Sequence, residues 1–241
     1  MTVICGPYIG GLEQEIFSFH PHVAWLYRVL IDRCDYFYVF SHENHSFFYD
    51  WPGVNFVSVD GCYSVESNHS GIVNKLVSSK EYLSLIKFVR NKVSDKDVLH
   101  YNIRYTIYDN FVVPLHKKMF VKINMNIEKT DNIVLISRGH TDFNVVKKIK
   151  DRFVGHDLIE IDDKWNHYDA IKTIQSAIFV ICQCGPWTYF CNLHKVPVVS
   201  WGNVGYSMYK DNGVYNFKNI CITTPNEHNL FSSIEYMLER V

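Results

Sequence analysis

The stretch VICQCGPWTYFCNLHKVPVVSWG, residues 180–202, sets an apolar run against Gly185-Pro186, then a short amphipathic segment, then a second apolar run closing on Trp201-Gly202. Gly185 suits a tight strand-to-helix turn, and Pro186 suits a first helical position, where no amide hydrogen bond is lost. A helix beginning there presents the amides of Trp187 and Thr188 with a partial positive charge, a site for a phosphate or diphosphate or an ordinary α/β turn. Arg138, at the carboxyl end of the run VLISRG, would add a fixed cation there, or else serve as a solvated loop arginine. Glu15, with Glu13 as its rival, falls in the first turn of a predicted helix. A carboxylate there can take a proton from an attacking hydroxyl, or simply complement the helix dipole.

Other polar groups sit at predicted strand ends, where α/β folds hold ligands. His42 follows YFYVFS; His100, Asn102 and Arg104 stand in DVLHYNIRY; Gly10 and Gly11 make the loop after the first strand flexible. His20, His22 and His45 read more simply as surface or polar-core residues. Trp187, Trp201 and Tyr206 are candidates for stacking on a base or sugar ring, against the commoner role of core aromatics. Cys182, Cys184, Cys191 and His194 resemble a zinc set only on paper, because the first two belong to a buried strand. No metal site is expected.

These residues need a scaffold that brings strand ends together. From Asn132 onward, continuously apolar runs alternate with amphipathic ones: NIVLISRG, DFNVVKKIKDRF, DLIEID, HYDAIKTIQSA, IFVICQCG, PWTYFCNLHK, VPVVSWG, NICITTP and EHNLFSSIEYMLERV. Strands apolar on both faces are parallel strands covered by helices. The first half repeats the theme with TVICGPYIGG, a long helix over EQEIFSFHPHVAWLYRVLIDR, strands YFYVFSH and VNFVSVD, a helix over GIVNKLVSSKEYLSLIKFVRNKV, and strand DVLHYNI. The expectation is α/β: two Rossmann-like doubly wound domains facing each other across a cleft, 1–128 and 129–241, joined near the polar stretch 125–132, which could act as a hinge.

Composition removes several classes. With 24 Lys+Arg against 25 Asp+Glu there is no global basic field for a polyanion. The 47% hydrophobic and 20% charged fractions are those of a folded domain. Without a basic leader or an apolar run of membrane length, the expected location is cytoplasmic, and the 7 cysteines read as reduced core thiols. The sequons at Asn44 and Asn68 are then chance matches.

At Gly185, Pro186, Pro197, Val198, Val199 and Gly202 the segment resembles a signature of the C-terminal domain of heptosyltransferase-like, B-type glycosyltransferases (GT-B). That family opens with a strand, a glycine-containing loop and a helix carrying an acid six positions before a proline, as Glu15 stands before Pro21. The departures are Gln183-Cys184 for an Asp-Thr-type pair, Thr188 for a His, Cys191 for an Ala and Gln14 for a Gly. The resemblance implies transfer of a sugar from a nucleotide-diphosphate donor to an acceptor hydroxyl, inverting and without a cofactor or essential metal. Glu15 would be the base, with Arg138 assisting catalysis. The donor would meet Gly185, Pro186, Trp187, Thr188, Trp201 and Gly202, and the acceptor Gly10, Gly11, His42, His100 and Arg104.

The acceptor could be a saccharide, a lipid-linked hydroxyl or a modified DNA base. The aromatic-rich composition, with 16 Tyr and 16 Phe, suits an AT-rich viral or phage genome. Lys75, Lys80, Lys87, Arg90, Lys92 and Lys96 could form a local DNA patch or a solvated helix face. A third reading is a nucleotide-sugar-binding module without turnover.

Overall fold

The computed structural model describes residues 1–9, 12, 15–62, 79–93, 97–101, 123, 125, 127–138, 141–202, 221–224 and 227–240. The chain divides into two compact units, Met1–Val121 and Lys122–Val241.

In the first unit β1 (Thr2–Cys5), β2 (Tyr36–Ser41), β3 (Val54–Ser58) and β4 (Val98–Tyr101) form a parallel sheet in the order β3-β2-β1-β4. Val3, Ile4, Cys5, Phe37, Val39 and Phe40 are wholly buried, as strands covered on both faces require. The predicted long helix is divided in three. A π-helical turn, Glu15–Phe19, leads into α1 (His20–Leu30), and a 3-10 turn, Ile31–Arg33, ends it. Pro21 has no amide to return to the preceding turn, so the ladder changes its spacing there. Helix α2 (Ser79–Lys92) occupies the second half of the predicted 71–93 helix, and residues 71–78 lie outside the described ones. Leu85, Val89 and Val93 pack on Ile4, Phe40 and Val59.

The second unit holds β5 (Ile133–Ile136), α3 (Phe143–Arg152), β6 (Leu158–Ile161), α4 (His167–Ser176), β7 (Phe179–Gln183), α5 (Pro186–His194), β8 (Val198–Trp201), β9 (Cys221–Thr224) and α6 (Glu227–Leu238). Its sheet is parallel throughout, ordered β6-β5-β7-β8-β9. Helix α3 shows why the sequence folds this way. Asp142 caps it by accepting from the Asn144 amide (3.0 Å), Val145, Val146 and Ile149 turn inward, and Lys147, Lys148 and Lys150 face water. Each such buried aliphatic contributes about 1.5–3 kcal/mol over its exposed state. The inward residues join Leu135, Ile181, Val199, Leu230, Ile234 and Met237 in one core. The stretch expected to link the domains is bonded along α4: the Lys129 ammonium donates to Gln175 O (2.8 Å) and the Thr130 amide to Ser176 O (2.9 Å). Among the described residues no helix is long and apolar enough to cross a membrane.

Candidate active site

Strand order locates the crevices. In the first sheet the order turns between β1 and β4, and in the second between β5 and β7, and parallel sheets take ligands at the carboxyl ends of such strands. At the first of these points Gly6 follows β1 with φ +105°, and a Cβ there would lie 2.5 Å from Phe40 O. Only glycine fits, and the Tyr8 amide uses that closeness to donate to the same oxygen (2.8 Å). His100, on β4, donates from Nε2 to Gly6 O at 2.6 Å, and burial pushes its imidazole below the ordinary value despite that bond. Gly10, Gly11, Glu13, Asn102 and Arg104 lie outside the described residues.

Glu15 opens the π-helical turn and is completely buried. Its Oε1 accepts from Ser41 Oγ (2.7 Å) and Tyr49 OH (2.5 Å), while its Oε2 accepts from His45 Nδ1. Ser41 ends β2, and His45 and Tyr49 come from the 3-10 helix Glu43–Tyr49. Burial, reinforced by the Glu15 charge and hydrogen bond, pushes the Tyr49 phenol well above its ordinary value and keeps it a donor. Around this cluster stands an aromatic wall: Phe19 stacks on Tyr8 (4.9 Å), and His20 lies 5.3 Å from Phe48 and 5.5 Å from Trp51. Burial lowers His20 to about 4, so it is neutral at pH 7. His20 and His45 are thus polar-core residues, as the sequence suggested; His22 is buried as well, its ring 6.0 Å from Tyr101.

His42 stands directly after β2 with Asp60 opposite it. Its Nδ1 lies 2.7 Å from Asp60 Oδ1, and the Glu43 amide donates to Oδ2 at 2.8 Å. For Asp60, partial burial favours the protonated form, but the His42 and Glu43 hydrogen bonds outweigh it and hold the carboxyl below its usual range. No local motif announces Ser41, His45, Tyr49 or Asp60 as partners. His45 and Tyr49 are 30 and 34 residues from Glu15, and only the fold joins them.

In the second unit Arg138 and Gly185 flank the turning point between β5 and β7. The Arg138 side chain is 10% exposed, and its Nε lies 3.8 Å from Asp163 Oδ1, so it is not the solvated loop arginine that the sequence also allowed. Gly185 corrects the expectation of a glycine-demanding turn. Its φ of 166° is extended backbone open to any residue, and an added Cβ would meet nothing closer than Gln183 O at 4.0 Å. The left-handed glycine of this segment is Gly202, at φ +101°.

Pro186 does occupy the start of α5. Thr188 is wholly buried, and its Oγ1 accepts from the Gly185 amide (3.3 Å) and meets Cys182 Sγ (3.5 Å), which makes it a strut of the turn. Trp187 and Trp201 are each 5% exposed and so offer no open ring face; each buries an indole N–H that has no acceptor among the described residues. Tyr206 lies outside the described residues. Cys182, Cys184 and Cys191 are buried, and among the described residues no group of three His, Cys, Asp or Glu side chains could hold a metal ion.

No protein-family model matches the chain, and no curated protein matches it in sequence. Its fold is similar to the crystal structure of the glycosyl transferase family 9 from Veillonella parvula DSM 2008, with a TM-score of 0.57 and 11% identity over 100% of this chain and 97% of that one. The class defined is an α/β fold with parallel sheets and interleaved helices.

Proposed function

We propose that the protein is a glycosyltransferase that moves a sugar from a nucleotide-diphosphate donor to an acceptor hydroxyl, with inversion and without an essential metal or cofactor. The observation that carries this reading is the likeness, over the whole chain, to a glycosyl transferase family 9 structure. The site chemistry is compatible with it: a buried carboxylate–imidazole cluster at the carboxyl edge of one sheet, and, at that of the other, an arginine after β5 and a helix start after β7.

In this reading the first unit binds the acceptor and the second the donor. As the anomeric carbon–oxygen bond to the diphosphate breaks, negative charge grows on the leaving phosphate, and the Arg138 guanidinium with the α5 start would stabilise it. The Trp187 indole N–H, in the first turn of that helix, is a further donor with a use for a ligand oxygen. Glu15 and its partners would supply the basic side of the reaction, at the sheet edge where His100 would meet the acceptor.

A thermal-shift panel of nucleoside diphosphates and nucleotide sugars tests this, because a ligand bound only by the folded form raises the melting temperature. A rise with one base, followed by release of that nucleoside diphosphate in the presence of an acceptor, is the expected result. A flat panel with no release refutes the assignment, and a rise without release leaves the non-catalytic binding module in its place.

A further inference from the structure

In the second unit a groove runs between the outer face of α4 and the stretch 127–130. Its volume of about 560 Å³ lies within the roughly 300–1,000 Å³ of small-molecule sites. None of its lining residues belongs to the site described above. One wall is a stripe of the helix. Lys172 and Thr173 follow Asp169 at three and four positions and so share its face, while Ala170, Ile171 and Ile174 turn into the core. Glu128 stands on the other wall, which is tied to the helix end by the Thr130 amide on Ser176 O (2.9 Å) and the Lys129 ammonium on Gln175 O (2.8 Å). Trp165, half-buried in the turn before α4, lines the groove at the start of the stripe. Asn166, the N-cap of α4, donates from Nδ2 to Asp169 Oδ2, which fixes that carboxylate and leaves its Oδ1 without a partner among the described residues.

This set of groups selects among ligands. Two carboxylates beside one ammonium disfavour a phosphate or a nucleic acid, and an organic cation would meet Lys172. An apolar ligand would desolvate three charges without pairing them. A neutral polyol has none of these faults. Each hydroxyl both donates and accepts, so it can donate to Asp169 Oδ1 and Glu128 and accept from the Lys172 ammonium and the Thr173 hydroxyl. The C–H face of a pyranose ring is apolar and fits against the indole of Trp165. We propose that this groove binds a neutral oligosaccharide, with Trp165 as the stacking platform and Asp169, Lys172 and Glu128 as its hydrogen-bonding partners. The site goes beyond the glycosyl-transfer reading and does not depend on it. The carboxylate of Asp169 is held in place before binding, which reduces the ordering that the sugar must bring about. One stacked ring and a few exposed hydrogen bonds make a weak complex, which suits ligand-observed NMR.

Saturation-transfer NMR on the intact chain uses maltotetraose, cellotetraose and chitotetraose as neutral probes, with a heparin tetrasaccharide and spermidine as anionic and cationic controls. At least one neutral probe should show transfer that neither control shows, and an NMR titration gives its Kd. Trp165→Ala should weaken that binding at least about tenfold and Lys172→Ala about threefold, whereas Trp165→Phe, which keeps a ring, should bind nearly as the parent does. Lys172 is exposed, so a loss there with an unchanged melting temperature separates a missing contact from a damaged fold. No transfer to any neutral probe, a preference for either control, or a Kd unchanged in Trp165→Ala or in Lys172→Ala overturns the proposal. No nucleotide takes part in this experiment. A failure here therefore leaves glycosyl transfer standing, and a flat nucleoside-diphosphate panel would refute transfer and leave this groove its sugar.

Discussion

Replacing Glu15 separates a carboxylate that holds the fold from one that is merely buried. In Glu15→Ala, the Ser41 hydroxyl, the Tyr49 phenol and the His45 Nδ1–H lose their acceptor inside a site that admits no water to the carboxylate. Removing one member of a buried pair costs about 3–5 kcal/mol, and the unsatisfied hydroxyls and the cavity push this toward the upper value. Glu15→Gln keeps its shape. Its amide oxygen can still accept from Ser41 and Tyr49, and its NH2 can donate to Nδ1 once His45 adopts the other tautomer, so the expected cost is about 1–2 kcal/mol. Against a total stability of about 5–15 kcal/mol, the first change threatens folding and the second does not. Urea unfolding can be followed by the fluorescence of Trp51, whose ring lies 5.8 Å from Tyr49. Equal losses below about 1 kcal/mol in both variants would refute the claim that this carboxylate organises three buried donors.

His20 predicts an acid limb. Because its folded-state value is lowered from 6.5 to about 4, the unfolded chain binds a proton that the native one refuses, so stability present above pH 6.5 is lost as the pH falls toward 4. The loss amounts to about 3 kcal/mol, and His20→Gln should flatten that part of a urea-midpoint profile; unchanged slopes would contradict it. Gly6→Ala should destabilise by at least about 2 kcal/mol, through its left-handed φ and the approach to Phe40 O, whereas Gly185→Ala should cost less than about 1 kcal/mol. Calorimetry of the two variants decides the point, and equal costs would be the contrary result. Arg138→Ala should weaken binding of a nucleoside diphosphate about 10- to 100-fold while leaving the nucleoside unaffected, as isothermal titration would show; a parallel loss for both ligands would remove Arg138 from the phosphate site.

Much of the architecture was legible in one dimension, because burial on both faces leaves a plain trace. IVLI, FVIC and VVSW have no polar face to offer, and between them Asp142 and Asn166 mark helix starts by their capping chemistry. Pro186 likewise announced the helix it begins. The candidate site was legible only in part. Glu15 could be singled out by type and place, but whether it faces water or a closed set of donors depends on β2 and the 3-10 helix after it, some thirty residues on. Gly6 looked no different from Gly185 in the sequence, and only the approach of β2 shows which of them must lack a side chain.

The amino-acid order by itself determined where the described strands and α-helices lie and that the strands run parallel, since those follow from local periodicity and the need to cover apolar faces, but it did not announce the π-helical turn or the 3-10 helix Glu43–Tyr49. The tertiary structure alone decided that Asp60 meets His42 and that His45 meets Glu15. Hydrogen bonds across the ends of separate strands depend on strand order and register, which no local pattern of residues encodes.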